Sequence, residues 1–286
     1  MPRFGAHAFI WHAEWTPTNA REVIEAAASA NLDFVEIPLL RPDEFDAPGT
    51  RALLESNGIG ATCSLGLPAA AHLPDHPEAA ERFLVGAAAK VAAIGSRVLT
   101  GVVYGHIGKL VGRPPTEREY EVIAASLKRV ARTVADMGVS IGIEAANRYE
   151  TYLVNTAAQG LDLVRRIDEP NVFLHLDTYH MNIEERGFDA PIIDAGKHLQ
   201  YIHLSESDRG TPGRGNVDWN EVFEGLAAVG YQGDLVMESF VDVNPDIARA
   251  TCMWRDVIED PQRLVVDGLA FLRGVAARHG LLNQNR

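Results

Sequence analysis

Short aliphatic or β-branched runs recur along this chain, and four of them stop on a polar residue. They are Val139-Ser140-Ile141-Gly142-Ile143-Glu144, Val172-Phe173-Leu174-His175-Leu176-Asp177, Leu199-Gln200-Tyr201-Ile202-His203 and Asp234-Leu235-Val236-Met237-Glu238. The terminal residues Glu144, Asp177, His203 and Glu238 lie 33, 26 and 35 residues apart, the length of a strand–helix–strand unit. The whole pattern predicts strands over 3–10, 33–38, 59–65, 97–103, 139–144, 172–177, 199–204 and 234–239, with helical stretches between them.

Helix signals fill the intervals. Thr16-Pro17 predicts a cap followed by a first-turn proline, with Asn31 as the stop. Asp75 with Glu78, and Thr116 with Glu119, each place a capping oxygen three residues before a glutamate. Gly95 and Gly138 stand where two of these helices should end. The segment 255–279 is expected to be a last helix packed across the barrel wall.

Eight alternations without a low-complexity linker predict an α/β fold, a closed (β/α)8 barrel forming one domain over residues 1–286. An open doubly wound sheet alternates similarly, but four polar strand ends from consecutive units converge better in a barrel.

Side-chain parity fixes which residues look inward. Gly142 and Glu144 share one face of the fifth strand; Phe173, His175 and Asp177 share one face of the sixth; Tyr201 and His203 share one face of the seventh. The opposite faces are aliphatic, as a surface that packs on helices must be. The polar set therefore looks into the barrel.

Composition narrows the function. The chain has 286 residues, is 47% hydrophobic and carries a net charge of −13, with no cluster of Lys and Arg interleaved with aromatics. That excludes an evident nucleic-acid surface. No apolar run is long enough to span a bilayer and the N-terminus lacks a secretory pattern, so a cytoplasmic protein is expected. Cys63 and Cys252 fit no CxxC spacing, and Cys63 reads as a small core residue.

Three carboxylates and an imidazole in one place repel unless a cation lies between them. Glu144, Asp177, His203 and Glu238 are therefore the expected ligands of one divalent metal ion per subunit. Three oxygens and one imidazole nitrogen suit Mn²⁺, Mg²⁺ or Co²⁺, with Zn²⁺ compatible, and do not separate them; Mn²⁺ is the expected ion, with Co²⁺ or Mg²⁺ as alternatives. His175 reads as a hydrogen-bonded core histidine, or else as a partner of Asp177. His7 and Glu36 fall on barrel strands, with structural and ligand-contacting roles equally open. Trp11, Trp15 and Phe240 could wall a sugar pocket or simply pack. The Gly-rich run Gly210–Gly215 reads as a flexible turn, with a phosphate cradle as the alternative.

The segments Ile143-Glu144-Ala145-Ala146-Asn147-Arg148-Tyr149-Glu150, Leu176-Asp177-Thr178-Tyr179-His180-Met181-Asn182-Ile183-Glu184-Glu185, His203-Leu204-Ser205-Glu206-Ser207-Asp208-Arg209-Gly210 and Met237-Glu238-Ser239-Phe240 resemble the D-tagatose 3-epimerase family. That family contains D-allulose (D-psicose) and L-ribulose 3-epimerases of the xylose-isomerase-like barrel group. The resemblance implies metal binding by Glu144, Asp177, His203 and Glu238, catalysis by Glu144 and Glu238, and a ketose held by Glu150, His180 and Arg209. It also implies a cis-enediolate intermediate and a homodimer or homotetramer. Asp208 departs from the family pattern, in which His or Asn is frequent. The rival readings are an aldose–ketose or hydroxypyruvate-type isomerase, a sugar dehydratase, an endonuclease of related fold and, from another class, a non-catalytic sugar-binding barrel.

Overall fold

The computed structural model describes residues 1–241 and 245–282. Eight strands, β1 (Arg3–His7), β2 (Phe34–Pro38), β3 (Gly60–Ser64), β4 (Val98–Thr100), β5 (Ser140–Glu144), β6 (Val172–Asp177), β7 (Leu199–Leu204) and β8 (Asp234–Met237), close in sequence order into a parallel barrel. β8 returns to pair with β1, so no edge remains open. The helices are α1 (Pro17–Ser29), α2 (Ala47–Asn57), α3 (Pro77–Ala93), α4 (Glu117–Ala135), α5 (Ala157–Ile167), α6 (Thr178–Glu184), α7 (Asp189–Ala195), α8 (Trp219–Ala228), α9 (Pro245–Thr251) and α10 (Pro261–Arg278). Among the described residues, no helix is long and apolar enough to cross a membrane.

Local signals explain most boundaries. Thr16 caps α1 through Asn19 N, and Asn31 follows that helix with a left-handed φ of 56°. Thr116 and Glu119 form a reciprocal capping box on α4. The Asp75–Glu78 box does not form. α3 begins at Pro77 with His76 at its cap and no side-chain cap bond, because the Asp75 carboxylate is taken by Lys109 from the next loop.

Three strands stop two or more residues short of their expected carboxyl ends. β1 stops at His7, where residues Ala8–Ile10 turn into a 3₁₀ segment whose Phe9 amide donates to His7 Nδ1. β4 stops at Thr100, because Gly101 has a φ of 109° and a Cβ there would lie 2.3 Å from the Leu65 carbonyl oxygen. β8 stops at Met237, leaving Glu238 one residue past the ladder. The C-terminal helix is α10, capped by Asp260, so residues 255–260 precede it rather than join it.

The outward strand residues Ile141, Ile143, Leu174, Leu176, Ile202 and Leu204 join the apolar shell formed with the helices. Inside the barrel, Phe34, Phe173, Tyr201 and Val236 make a separate plug. Below it, Arg3 is paired with Asp234 at 2.7 and 2.9 Å. Glu144, Asp177, His203 and Glu238 lie above this plug, at the carboxyl ends of their strands.

Candidate active site

Each of the four expected ligands arrives on its own strand. Glu144 ends β5, Asp177 ends β6, His203 is the penultimate residue of β7, and Glu238 follows β8. Strand register sets their heights: Glu144 pairs with His175, two residues before Asp177, and Asp177 pairs with His203. Asp177 also caps α6, its Oδ1 accepting from Tyr179 N at 2.7 Å, which turns Oδ2 inward. His203 Nδ1 then lies 3.5 Å from Glu238 Oε2, 3.8 Å from Glu144 Oε1 and 3.8 Å from Asp177 Oδ2. That nitrogen is buried and has no hydrogen-bond partner among the described residues.

The other face of the imidazole is fully engaged. His203 Nε2 is 2.7 Å from Glu36 Oε2, which also accepts from Tyr201 Oη at 2.6 Å, and Thr62 Oγ1 supports that tyrosine at 2.7 Å. Glu36 is therefore a rear support for His203 rather than a group facing the centre. Burial works against its charge, but His203 and His7 outweigh that and hold its carboxyl far below the usual range. His7 Nε2 is 3.2 Å from Ser64 Oγ. His175 is the hydrogen-bonded core histidine: Thr100 Oγ1 meets its Nδ1 at 2.9 Å, and its ring packs edge-on against His203 at 4.2 Å.

So many acids in so little space perturb one another strongly. Burial, and then Glu238 and Asp177 against the opposing effect of His203, pushes the Glu144 carboxyl well above its usual value. Burial also opposes ionisation of Glu238 and Asp177, yet Arg209 with its cationic neighbours keeps both below the usual range. Burial would discharge His203, but Glu36 and Glu238 raise it well above an ordinary histidine. Three sets of donors lie within 4.8 Å of one another: Glu144–His175–His203, Glu144–Asp177–His180 and Asp177–His203–Glu238. An orphaned, buried imidazole nitrogen facing three carboxylate oxygens is a donor set that fits a hard divalent cation.

The residues expected to hold a ketose surround this cluster. Arg209 is 2% exposed and donates through Nη1 to Asp177 Oδ2 at 2.8 Å, to Ser205 Oγ at 3.0 Å and to Glu238. Its guanidinium lies 3.9 Å from the Tyr179 ring centroid and 5.3 Å from that of Phe240. Its backbone has a φ of 63°, held by Ser239 Oγ donating to its carbonyl and by its own amide donating to Glu206 O at 2.9 Å. Glu150 and His180 both bond Asn147, and Glu150 caps no helix, since α5 is capped by Thr156.

The glycine-rich turn offers its amides to the chain itself. Glu206 accepts from Ser207 N, Gly213 N, Val217 N and Trp219 Nε1 at 2.8–3.1 Å, so its carboxylate sits where a phosphate cradle would need the donors. Asp208 turns outward, 3.7 Å from Arg255, instead of lying over the cluster. Trp15 lines a cavity of about 260 Å³ with Phe9, Phe45 and Ile247 beside the barrel mouth. Phe9 packs at a tilt against Phe240, ring centroids 5.7 Å apart, whereas Trp11 is tied away by a hydrogen bond to Gln262 at 3.1 Å. Cys63 is buried and free. Sequence reading left the role of Glu36 open between structural and ligand-contacting, and missed those of Asn147 and Glu206, which are visible only as polar residues inside apolar surroundings.

The sequence profile of the xylose isomerase-like TIM barrel family matches residues 24–274. An L-ribulose 3-epimerase from Methylomonas sp. is 38% identical over 276 residues, covering 94% of this chain and 96% of the relative. A ketose 3-epimerase from Arthrobacter globiformis is 35% identical, covering 95% and 96%. The solved D-allulose 3-epimerase of Methylomonas sp. in complex with D-allulose superposes with a TM-score of 0.92 at 37% identity, covering 96% of each chain. The chain belongs to the xylose isomerase-like TIM barrel family and, within it, to the ketose 3-epimerases, enzymes of the isomerase class.

Proposed function

We propose that this protein epimerises free ketoses at C3, taking ketohexoses or ketopentoses such as D-allulose, D-tagatose or L-ribulose. The observation that carries the reading is the convergence of Glu144 and Glu238 on one imidazole nitrogen from β5 and β8, at 3.8 and 3.5 Å. A single carboxylate would return the C3 proton to the face it came from. Two carboxylates from different staves of the barrel let one take the proton while the other delivers one to the opposite face, and the roles exchange in the reverse direction. Glu144, Asp177, His203 and Glu238 would hold one divalent cation, Mn²⁺ in the first instance, which as a Lewis acid stabilises negative charge developing on the sugar's O2.

Arg209 adds a permanent positive charge at the same place, and its burial between Tyr179 and Phe240 makes that charge count for more than it would in water. Glu150 and His180 would fix the neighbouring hydroxyls. Similarity to relatives named for ketose, L-ribulose and D-allulose epimerisation supports the substrate class. The working unit is one catalytic domain, assembled as a homodimer or homotetramer.

The test is incubation with D-allulose, D-tagatose and L-ribulose in D₂O with Mn²⁺. The expected result is the C3 epimer of a supplied ketose, with deuterium at C3 of the product. Deuterium at C1 or C2 with an aldose product would replace this reading by an aldose–ketose isomerase, and loss of water from the product would replace it by a dehydratase.

A further inference from the structure

Asn147 is 1% exposed and sits between the two side chains expected to hold the sugar. Its amide orientation follows from the backbone. Tyr149 N–H donates to Asn147 Oδ1 at 2.9 Å, so the oxygen is on that side and Nδ2 on the other. Nδ2 carries two protons, and both have takers: Glu150 Oε1 at 2.8 Å and His180 Nδ1 at 2.8 Å.

A neutral imidazole has one donor and one acceptor nitrogen. Nδ1 of His180 accepts, so the ring proton is on Nε2. That nitrogen has no hydrogen-bond partner among the described residues and lies 3.7 Å from both Glu144 Oε1 and Asp177 Oδ2, at the edge of the carboxylate cluster. On the other arm, burial pushes the Glu150 carboxyl up, and the bond from Asn147 is one of the contacts resisting that shift.

We propose that Asn147 is a positioning residue: one amide sets the His180 tautomer and the Glu150 rotamer together, presenting an N–H donor and a carboxylate acceptor to adjacent hydroxyls of the ketose. The proposal takes its substrate from the epimerase reading above, but the tautomer itself does not depend on that reading.

The discriminating variant is Asn147→Asp. It is isosteric and keeps an acceptor for Tyr149 N–H, so the local turn survives, but it removes both donors. Long-range ¹⁵N–¹H NMR on the full chain loaded with diamagnetic Mg²⁺ reads the tautomer, with the His180 ring identified by its loss in His180→Asn. The wild-type ring is expected to be protonated at Nε2 alone, and the Asn147→Asp ring to carry a proton on Nδ1. With D-allulose, kcat/KM is expected to fall about 10²-fold in Asn147→Asp, the range typical of supports one shell behind a site. Mn²⁺ affinity should stay within about threefold, because Asn147 touches none of the four metal-ligand candidates.

A wild-type ring protonated at Nδ1 overturns the proposal and needs no variant to detect. So does an Asn147→Asp enzyme with the wild-type tautomer and a kcat/KM within about threefold. If the wild type turns over no ketose, the epimerase reading fails, and the tautomer measurement still decides the positioning claim by itself.

Discussion

Glu36 Oε2 meets His203 Nε2 at 2.7 Å, and this contact fixes which imidazole nitrogen is left for the centre of the barrel. With Nε2 turned to a buried carboxylate, Nδ1 is the nitrogen that faces Glu144, Asp177 and Glu238, and it would give its lone pair to a cation held among them. Replacing Glu36 by Gln keeps an acceptor but removes the charge that makes the ring a strong ligand. Titration calorimetry is expected to show Mn²⁺ binding weakened by about 10–100-fold, with much of kcat recovered at saturating Mn²⁺. Unchanged affinity would show that His203 needs no such support.

Glu144→Gln and Glu238→Gln each remove one proton carrier. Every positioned acid or base is worth about 10²–10⁴ in rate, so each variant should lose at least that much turnover. Single-turnover exchange in D₂O separates the two faces. A variant that still removes the C3 proton of one epimer should wash deuterium into that epimer without inverting it, and the two variants should prefer opposite epimers.

Chelation with EDTA should stop turnover, and added Mn²⁺ should restore it. The fold should persist without metal, since the apolar shell and the inner plug of Phe34, Phe173, Tyr201 and Val236 are independent of the cluster. Binding to the native state alone stabilises by about 2.7 kcal/mol at a hundredfold excess over Kd, so re-adding Mn²⁺ should raise Tm measurably by calorimetry. A Tm insensitive to every divalent ion would count against a metal centre.

Gly142 faces inward against Thr100 and Phe173. A Cβ there would lie 2.1 Å from Thr100 Oγ1 and 2.6 Å from the Phe173 ring. Gly142→Ala must push Thr100 off His175 Nδ1, and overpacking of this kind costs about 1–3 kcal/mol. Denaturant unfolding should show that loss, together with reduced activity, because His175 packs against His203.

The Glu119 carboxylate is held by Arg113 first, and further by Tyr152 and Thr116, well below its ordinary value of 4.5. A depressed folded-state value contributes stability that is present above the unfolded value and is lost as pH falls towards the folded one. Thermal unfolding followed from about pH 6 down to about pH 3 should therefore show a Tm decline that is shallower in Glu119→Gln. Parallel declines would show that the bridge adds little against solvent screening.

Much of the candidate site was legible in one dimension. The chain's period-2 alternation put Glu144, Asp177 and His203 on the inward face, and the burial of Ile141, Leu176 and Ile202 in the outer shell agrees with it. Thr116 and Asn31 did as their local chemistry predicts, because a cap needs only neighbours within one helical turn. Asp75 did not, because Lys109, 34 residues away, competes for the same oxygen.

What the sequence by itself determined was the set of strands, their order and the parity that gathers acids at one end, since these follow from short-range periodicity. Only the tertiary structure decided their relative height. Leu174 pairs with Leu199, but His175 pairs with Tyr201, so Gln200 is an extra residue on β7. That irregularity lets Leu199 join the outer shell while Tyr201 enters the inner plug, two residues that simple alternation would place on one face. It also brings His203 level with Asp177. Ladder register, and the partners that orient the His203 and His180 rings, come from distant strands and loops, and no local pattern encodes them.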